Sequence, residues 1–189
     1  MTLGQIMRLA LRQLDEAPED LSEYDEQFRA YANAGYQTAV SVYLRPRGMR
    51  TLRTDGHGCA VIRGMGIRRI ISLEHADRRL GGQVLFRLEE SGDAIRTVFP
   101  KAELTALCEV KYPDMEKDDE EPMIPRSAHA ALADYICYRY LSCGSLAKQK
   151  RAQNFYAQYL QAMQRIEPDG YRSADRERNL YAATDIRAR

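Results

Sequence analysis

Apolar positions recur every three or four residues at both ends of the chain and every second residue in its middle. Leu3, Ile6, Met7, Ala10, Leu11 and Leu14 make one helical stripe. Thr2 is placed to cap it, and Pro18 stops it. A second helix opens near Ser22, with Glu23, Asp25 and Glu26 at its positive end. Its stripe runs through Tyr24, Phe28, Tyr31, Ala32, Gly35, Tyr36, Ala39, Val40 and Tyr43, and Pro46 and Gly48 close it. Gly35 among so many alanines predicts close helix packing there.

Between Met49 and Pro113 the period shortens to two. Residues 49–54, 59–63, 67–73, 83–88, 94–99 and 104–112 read as short strands. Asp55-Gly56 and Ser91-Gly92-Asp93 suit hairpins, and Gly81-Gly82 marks a further turn. Gly64-Met65-Gly66 lacks the third glycine of a dinucleotide fingerprint and opens no helix, so it reads as a turn. Alternation places Arg50 and the aliphatic residues of its strand on different faces. Six short strands at this spacing fit a small antiparallel sandwich or barrel.

Residues 114–121 hold six carboxylates in eight positions, bracketed by Pro113, Pro122 and Pro125. The stretch reads as an extended linker. A calcium loop is the alternative, since Asp114, Glu116 and Asp118 alternate, but Asp119 stands where such a loop needs glycine. Helical spacing resumes at Pro125, a good first-turn residue. Ala128, Ala131, Leu132, Tyr135, Ile136, Cys137, Tyr138, Tyr140 and Leu141 are apolar almost all round, which predicts the most buried helix. Gly144 serves as its C-terminal cap and Ser145 as the N-cap of a last helix carrying Leu146, Ala152, Phe155, Tyr156, Tyr159, Leu160, Met163 and Ile166. Lys148, Lys150 and Arg151 crowd the first turns of that helix, the wrong end for cations, which suits either an external anion or acidic partner or a solvated basic face. Pro168-Asp169-Gly170 ends it. The polar remainder, with isolated Tyr171, Leu180, Tyr181 and Ile186, buries too little to fold alone and reads as an arm that orders on a partner.

The predicted fold class is therefore α+β: a four-helix bundle interrupted by a small antiparallel β insertion, with an extended C-terminal arm. Residues 1–47 and 123–167 form the bundle, 48–122 the β module with its acidic linker, and 168–189 the arm.

Composition refines this picture. Among 189 residues, 28 Lys and Arg face 27 Asp and Glu, a net charge of +1. With 44% apolar residues, the chain is too apolar and too neutral to be disordered. Residues 1–44 carry −4, 45–80 carry +6, 81–124 carry −6, 125–167 carry +4 and 168–189 carry +1. Such bands suit head-to-tail contacts between copies, or else are solvated faces. No apolar run is long enough to span a bilayer, and the first residues lack the pattern of a signal peptide, so a cytosolic setting is expected. The chain has 12 Tyr, 4 Phe and no Trp, a mixture that suits helices whose aromatic rings keep one end wet.

Chemistry is sparse. Cys59, Cys108, Cys137 and Cys143 have no CxxC spacing and read as reduced, buried thiols. His57 and Cys59 are the only close pair, so no metal site is expected. No nucleophile motif, zinc-protease motif or phosphate loop occurs, and the carboxylate pairs sit in the linker, where burial is not expected. Ser72-Leu73-Glu74-His75 offers a base with no orienting partner. The chain reads as a non-enzyme that needs no cofactor. Every cation from Arg45 to Arg79 is Arg, which favours bidentate contacts with phosphate or carboxylate. Aromatic residues are absent there, so single strands find no stacking platform. Non-specific contact with DNA phosphates is expected, and base reading is not.

Taken in order, three segments resemble the head-to-tail connector (adaptor) proteins of tailed bacteriophages. The first is Phe28-Arg29-Ala30-Tyr31-Ala32-Asn33-Ala34-Gly35-Tyr36, running to Tyr43-Leu44-Arg45-Pro46. The second is Val110-Lys111-Tyr112-Pro113 before the acidic stretch. The third is Ile124-Pro125 leading to Ala130-Ala131-Leu132-Ala133-Asp134-Tyr135, with the Gly144 break beyond. They span roughly residues 20 to 165, and the chain departs from the group in a shortened Tyr112-Pro113 element. The resemblance implies a structural protein of the virion neck, made in the host cytoplasm, that forms a ring beneath the portal, usually twelvefold. It implies that Tyr171, Arg172, Leu180, Tyr181, Ile186 and Arg187 dock on the portal protein. Arg63, Arg68, Arg69, Arg78 and Arg79 then face tail or stopper proteins or the DNA channel. Lys148, Lys150, Arg151, Tyr31 and Tyr36 make subunit contacts, and no membrane is involved. Another virion neck or tail assembly protein is the next reading, and a small-ligand-binding or enzymatic β module the last.

Overall fold

A computed structural model describes residues 1–15, 21–77 and 82–166. Among the described residues the fold is mixed, with four α-helices and two three-stranded antiparallel sheets, divided into two units. Of the described residues, one unit takes Met1–Leu44 and those from Tyr112 to Ile166, and the other lies within Arg45–Lys111.

In the helical unit, α1 spans Leu3–Gln13, α2 Leu21–Thr38, α3 His129–Ser142 and α4 Leu146–Gln164. Thr2 caps α1 in a capping box, with its hydroxyl accepting from Gln5 N–H and the Gln5 side chain accepting from Thr2 N–H. The predicted stripe is the buried one, Leu3, Ile6, Met7, Ala10 and Leu11. α2 ends in a π-helical turn, Ala39–Leu44. α3 is the central helix, packing against α1, α2 and α4, as its all-round apolar sequence predicts. Gly35 makes the close approach possible. A Cβ there would stand 2.8 Å from the Tyr135 ring. The buried Tyr159 hydroxyl donates to the Gly35 carbonyl at 2.8 Å.

The β unit contains β1 (Arg47–Arg53), β2 (Cys59–Val61), β3 (Ile67–His75), β4 (Phe86–Leu88), β5 (Ala94–Thr97) and β6 (Glu103–Val110). Its sheets have the orders β1-β6-β3 and β2-β5-β4. The first strand pairs with the last, Arg47 opposite Glu109, so the unit begins and ends side by side. Val110 N–H donates to the Pro46 carbonyl at 2.9 Å and closes that seam. An insertion whose ends meet interrupts its host with little strain. On β6, Leu104, Ala106, Cys108 and Val110 are buried and alternate with more open positions.

The structure corrects several expectations. The acidic stretch belongs with the helices rather than with the sheets, so the boundaries fall at 44/45 and 111/112 instead of 47/48 and 122/123. Residues 55–58 join the two sheets and do not form a hairpin, because β1 pairs with β6 and β2 with β5. The left-handed residue there is Gly58 (φ 76°), packed against the Thr97 carbonyl, while Asp55 accepts from His57 and Cys59 N–H. Arg50 shares the face of Leu52, since the two are two residues apart, and its Nε donates to the Met65 carbonyl. Gly144 is not left-handed. Cys143 holds the C-cap of α3, and Gly144 N–H donates to the Leu141 carbonyl. Ser145 occupies the N-cap of α4 without a side-chain bond. Cys143 is exposed rather than buried.

Gly35→Ala is expected to lower stability by about 1–3 kcal/mol through overpacking against Tyr135. Urea unfolding of the full chain checks this, and an unchanged midpoint would refute the packing.

Candidate interaction surfaces

The acidic stretch is a strap laced to two helices. Three side chains on one face of α2, four residues apart, hold it. Asn33 Nδ2 donates to the Met115 carbonyl at 3.0 Å and its Oδ1 accepts from Met115 N–H at 2.9 Å. Gln37 donates to the Tyr112 carbonyl and to Asp114 Oδ1. Arg29 donates to the Glu116 carbonyl at 2.6 Å, to Asp118 Oδ1 at 2.7 Å and to Asp25. The Asp118 carboxylate, then Asp25, raise the Arg29 pKa further. Met115 is buried at the centre of the strap.

The strap also serves α1. The Glu120 carbonyl accepts from Leu3 N–H at 2.8 Å and the Asp118 carbonyl from Gly4 N–H at 2.9 Å. Those amides belong to the first turn, which has no intrahelical partner to offer them. Glu120 Oε2 accepts from Glu116 and Lys117 N–H, and these bonds hold its carboxyl below the ordinary 4.5. At the far end of the strap, the buried His129 donates through Nε2 to the Ile124 carbonyl at 3.0 Å, since a carbonyl only accepts. The carboxylates thus turn to different partners. Among the described residues, no group of three or more His, Cys, Asp or Glu could hold a metal ion.

A second surface is α4. It buries only Ala152, Tyr159 and Met163 fully. Lys148 and Lys150 are exposed. Arg151 instead turns to its own chain. It donates to the Gln13 carbonyl at 2.5 Å and to Asp15, and it lies over the Phe155 ring, so it closes the C-terminal end of α1. Tyr156 stacks at the surface on the half-buried Tyr138 and on the buried Tyr159. Tyr31 is half-buried, bonded by Gln27 and covered by the Arg139 guanidinium. Tyr36 is 1% exposed and its oxygen accepts from Met123 N–H, so it lies in the core and not on the surface expected for a subunit contact. Burial pushes its pKa up to about 12.

The arginine band of the β unit is paired in part. Antiparallel pairing sets Glu109 between Arg47 and Arg69, and Glu103 opposite Arg53, with an ion pair at 3.5 Å. Arg63 pairs with Asp93 at 3.9 Å, and Arg96 with Glu89 at 2.8 Å. Of the acidic band 81–124, Asp93, Glu103 and Glu109 thus face the basic band 45–80 within the β unit. Arg63, Arg68 and Arg69 are exposed. Arg78 and Arg79, and the arm residues Tyr171, Arg172, Leu180, Tyr181, Ile186 and Arg187, lie outside the described residues. An open groove of about 780 Å³ beside β1 and β2 is lined by Arg53, Asp55, Cys59, Val61 and Glu103. Its charged groups are themselves exposed, unlike the convergent polar groups of a small-molecule site.

Cys137 is buried against Gln13 Oε1 at 3.2 Å, and burial pushes its thiol up to about 12, which leaves no thiolate for chemistry. Beside it, burial raises the Asp134 carboxyl while Gln13 donates to it.

No family model matches the chain, and no curated protein does. None of the described helices is long and apolar enough to cross a membrane.

The strap bonds were missed from sequence, although Arg29, Asn33 and Gln37 form an i, i+4, i+8 polar row. Asn33→Ala strips both partners from the Met115 backbone and is expected to cost on the order of 2 kcal/mol, read by urea unfolding. Because the folded Glu120 pKa lies below 4.5, its contribution is present above that pH and lost as pH falls through the folded value. Hydrogen exchange between pH 3 and 6 is expected to show the strap opening on acidification, less steeply in Glu120→Gln. Identical pH profiles would refute it.

Proposed function

We propose that this chain is a head-to-tail connector of a tailed bacteriophage, joining a ring of its own copies to the portal above and to tail or stopper proteins below. In this reading the helices form a four-helix bundle, the two sheets an inserted sandwich or barrel, and residues 168–189 an arm that seats on the portal. The observation that carries it is the interrupted helical unit. α1 and α2 come first, a self-closed β unit follows, and a strap returns the chain to α1 and α2 before α3 and α4. That order is the one the resemblance implies.

Other features support a structural role. The surfaces are charged and tyrosine-rich, the buried Cys137 is held protonated, and the groove of the β unit is open. DNA passes the ring without being read, and the exposed Arg63, Arg68 and Arg69 supply at most phosphate contacts. The protein takes no part in catalysis and needs no cofactor.

The mass of the full chain in solution, alone and with portal rings, tests this reading. Rings of about twelve copies, formed alone or induced by portals, are expected from closed cyclic symmetry. Loss of portal binding on truncation after residue 167 assigns the arm. A chain that stays monomeric and ignores portals at low and moderate salt overturns the connector.

A further inference from the structure

We propose that the outer face of α4 in one copy docks on the acidic strap of the next, as a head-to-tail contact within the helical unit. Leu146–Arg165 contains four cations, Lys148, Lys150, Arg151 and Arg165, and no carboxylate. Most of the helix surface faces outward, and it carries apolar anchors, Leu146 at 78% and Tyr156 at 37% exposure. From Asp114 to Glu121 the strap carries six carboxylates and one lysine, and although Asp118 pairs with Arg29 and Glu121 with Arg126, Glu116 and Asp119 stand exposed. Met123 beside it is 57% exposed. Each face therefore combines an apolar anchor with charge of the sign the other lacks, the composition of a self-complementary protein contact.

Position makes the contact intermolecular. The strap caps the N-terminus of α1 through Leu3 and Gly4, while Arg151 of α4 closes its C-terminal end at Gln13 and Asp15. An 11-residue helix is about 16 Å long. The basic turns of α4 and the strap thus lie at opposite ends of the same packed helix. The basic face of one copy is satisfied by the strap of a second, whose own α4 remains open to a third. Such a contact is heterologous, so assembly continues until a ring closes and does not stop at a dimer. Arg151 is occupied by Gln13 and Asp15 of its own chain, but Lys148 and Lys150 stand exposed in the first turns of α4 with no acid beside them in the helix, and the N-cap side chain makes no cap bond, so a neighbour's carboxylates relieve an unfavourable charge arrangement. A polyanion such as DNA is the poorer occupant, because the strap on the same unit repels it.

This pairing rests on the connector reading for ring closure, and its test separates the two. Two full-length variants are compared with the wild type by sedimentation velocity and native mass at low and moderate salt. One is Lys148→Glu with Lys150→Glu, and the other Glu116→Lys with Asp119→Lys, all exposed positions. Each alone is expected to raise the concentration needed for assembly by about tenfold or more, because like charges then face each other. Mixed in equal amounts, they are expected to recover assembly, since every α4 then meets a strap of opposite charge. Unchanged melting confirms that each variant folds. Wild-type rings that neither pair of substitutions weakens, or a mixture that fails to recover, overturn the pairing and leave the connector standing. A wild type monomeric with and without portals overturns both. Duplex DNA bound by monomers and lost in Lys148→Glu with Lys150→Glu makes the face a nucleic-acid surface and overturns the proposal.

Discussion

The lacing of the strap to α1 and α2 is the constraint on which the helical unit depends. α1 has backbone amides at its start that nothing within the helix can satisfy. The carbonyls of Asp118 and Glu120 satisfy two of them. The same segment gives Asn33, Gln37 and Arg29 their backbone partners and buries Met115. A chain that has left the helices for 67 residues, Arg45 to Lys111, is thereby returned at a defined place, and α3 enters from there. Isolated bonds of this kind are each worth only about 1 kcal/mol. Their effect comes from acting together on one short backbone segment, where losing one leaves others with buried and unpaired partners.

Antiparallel pairing plays the matching part in the β unit. Because β1 lies beside β6, entry and exit are neighbours, and the unit closes on itself before the strap begins. The same pairing cancels charge. Part of the +6 band stands in cross-strand register with carboxylates, Glu109 between Arg47 and Arg69 and Glu103 opposite Arg53, whereas most of the −6 band is the strap itself and belongs to the helical unit. Exposed pairs of this sort add little stability. They leave the β unit with 13 Lys and Arg against 8 Asp and Glu, while the helical unit carries opposite charge on two separate faces, α4 positive and the strap negative.

Much of the local structure was legible. The Thr2 cap and the stripe of α1, the central place of α3, the close approach at Gly35 and all six strands follow from period and residue type. The strap was not legible as a strap. Six carboxylates between prolines read as a solvated linker, since nothing in a charge run announces that its backbone, rather than its side chains, makes the structural bonds. Tyr36 and Arg151 were misplaced for a related reason. Sequence shows the chemistry of a side chain, and burial against Met123 or capping at Gln13 depends on which segment arrives beside it.

By itself, the sequence determined which segments are helix and which are strand, that the helices are interrupted, and where charge is concentrated along the chain, because these depend on neighbours within a few residues. Only the tertiary structure decided which charges cancel and which stay open, and that the acidic run is part of the helical unit. Those outcomes depend on pairings across tens of residues, such as Arg47 with Glu109 and Asn33 with Met115, and no local period encodes them.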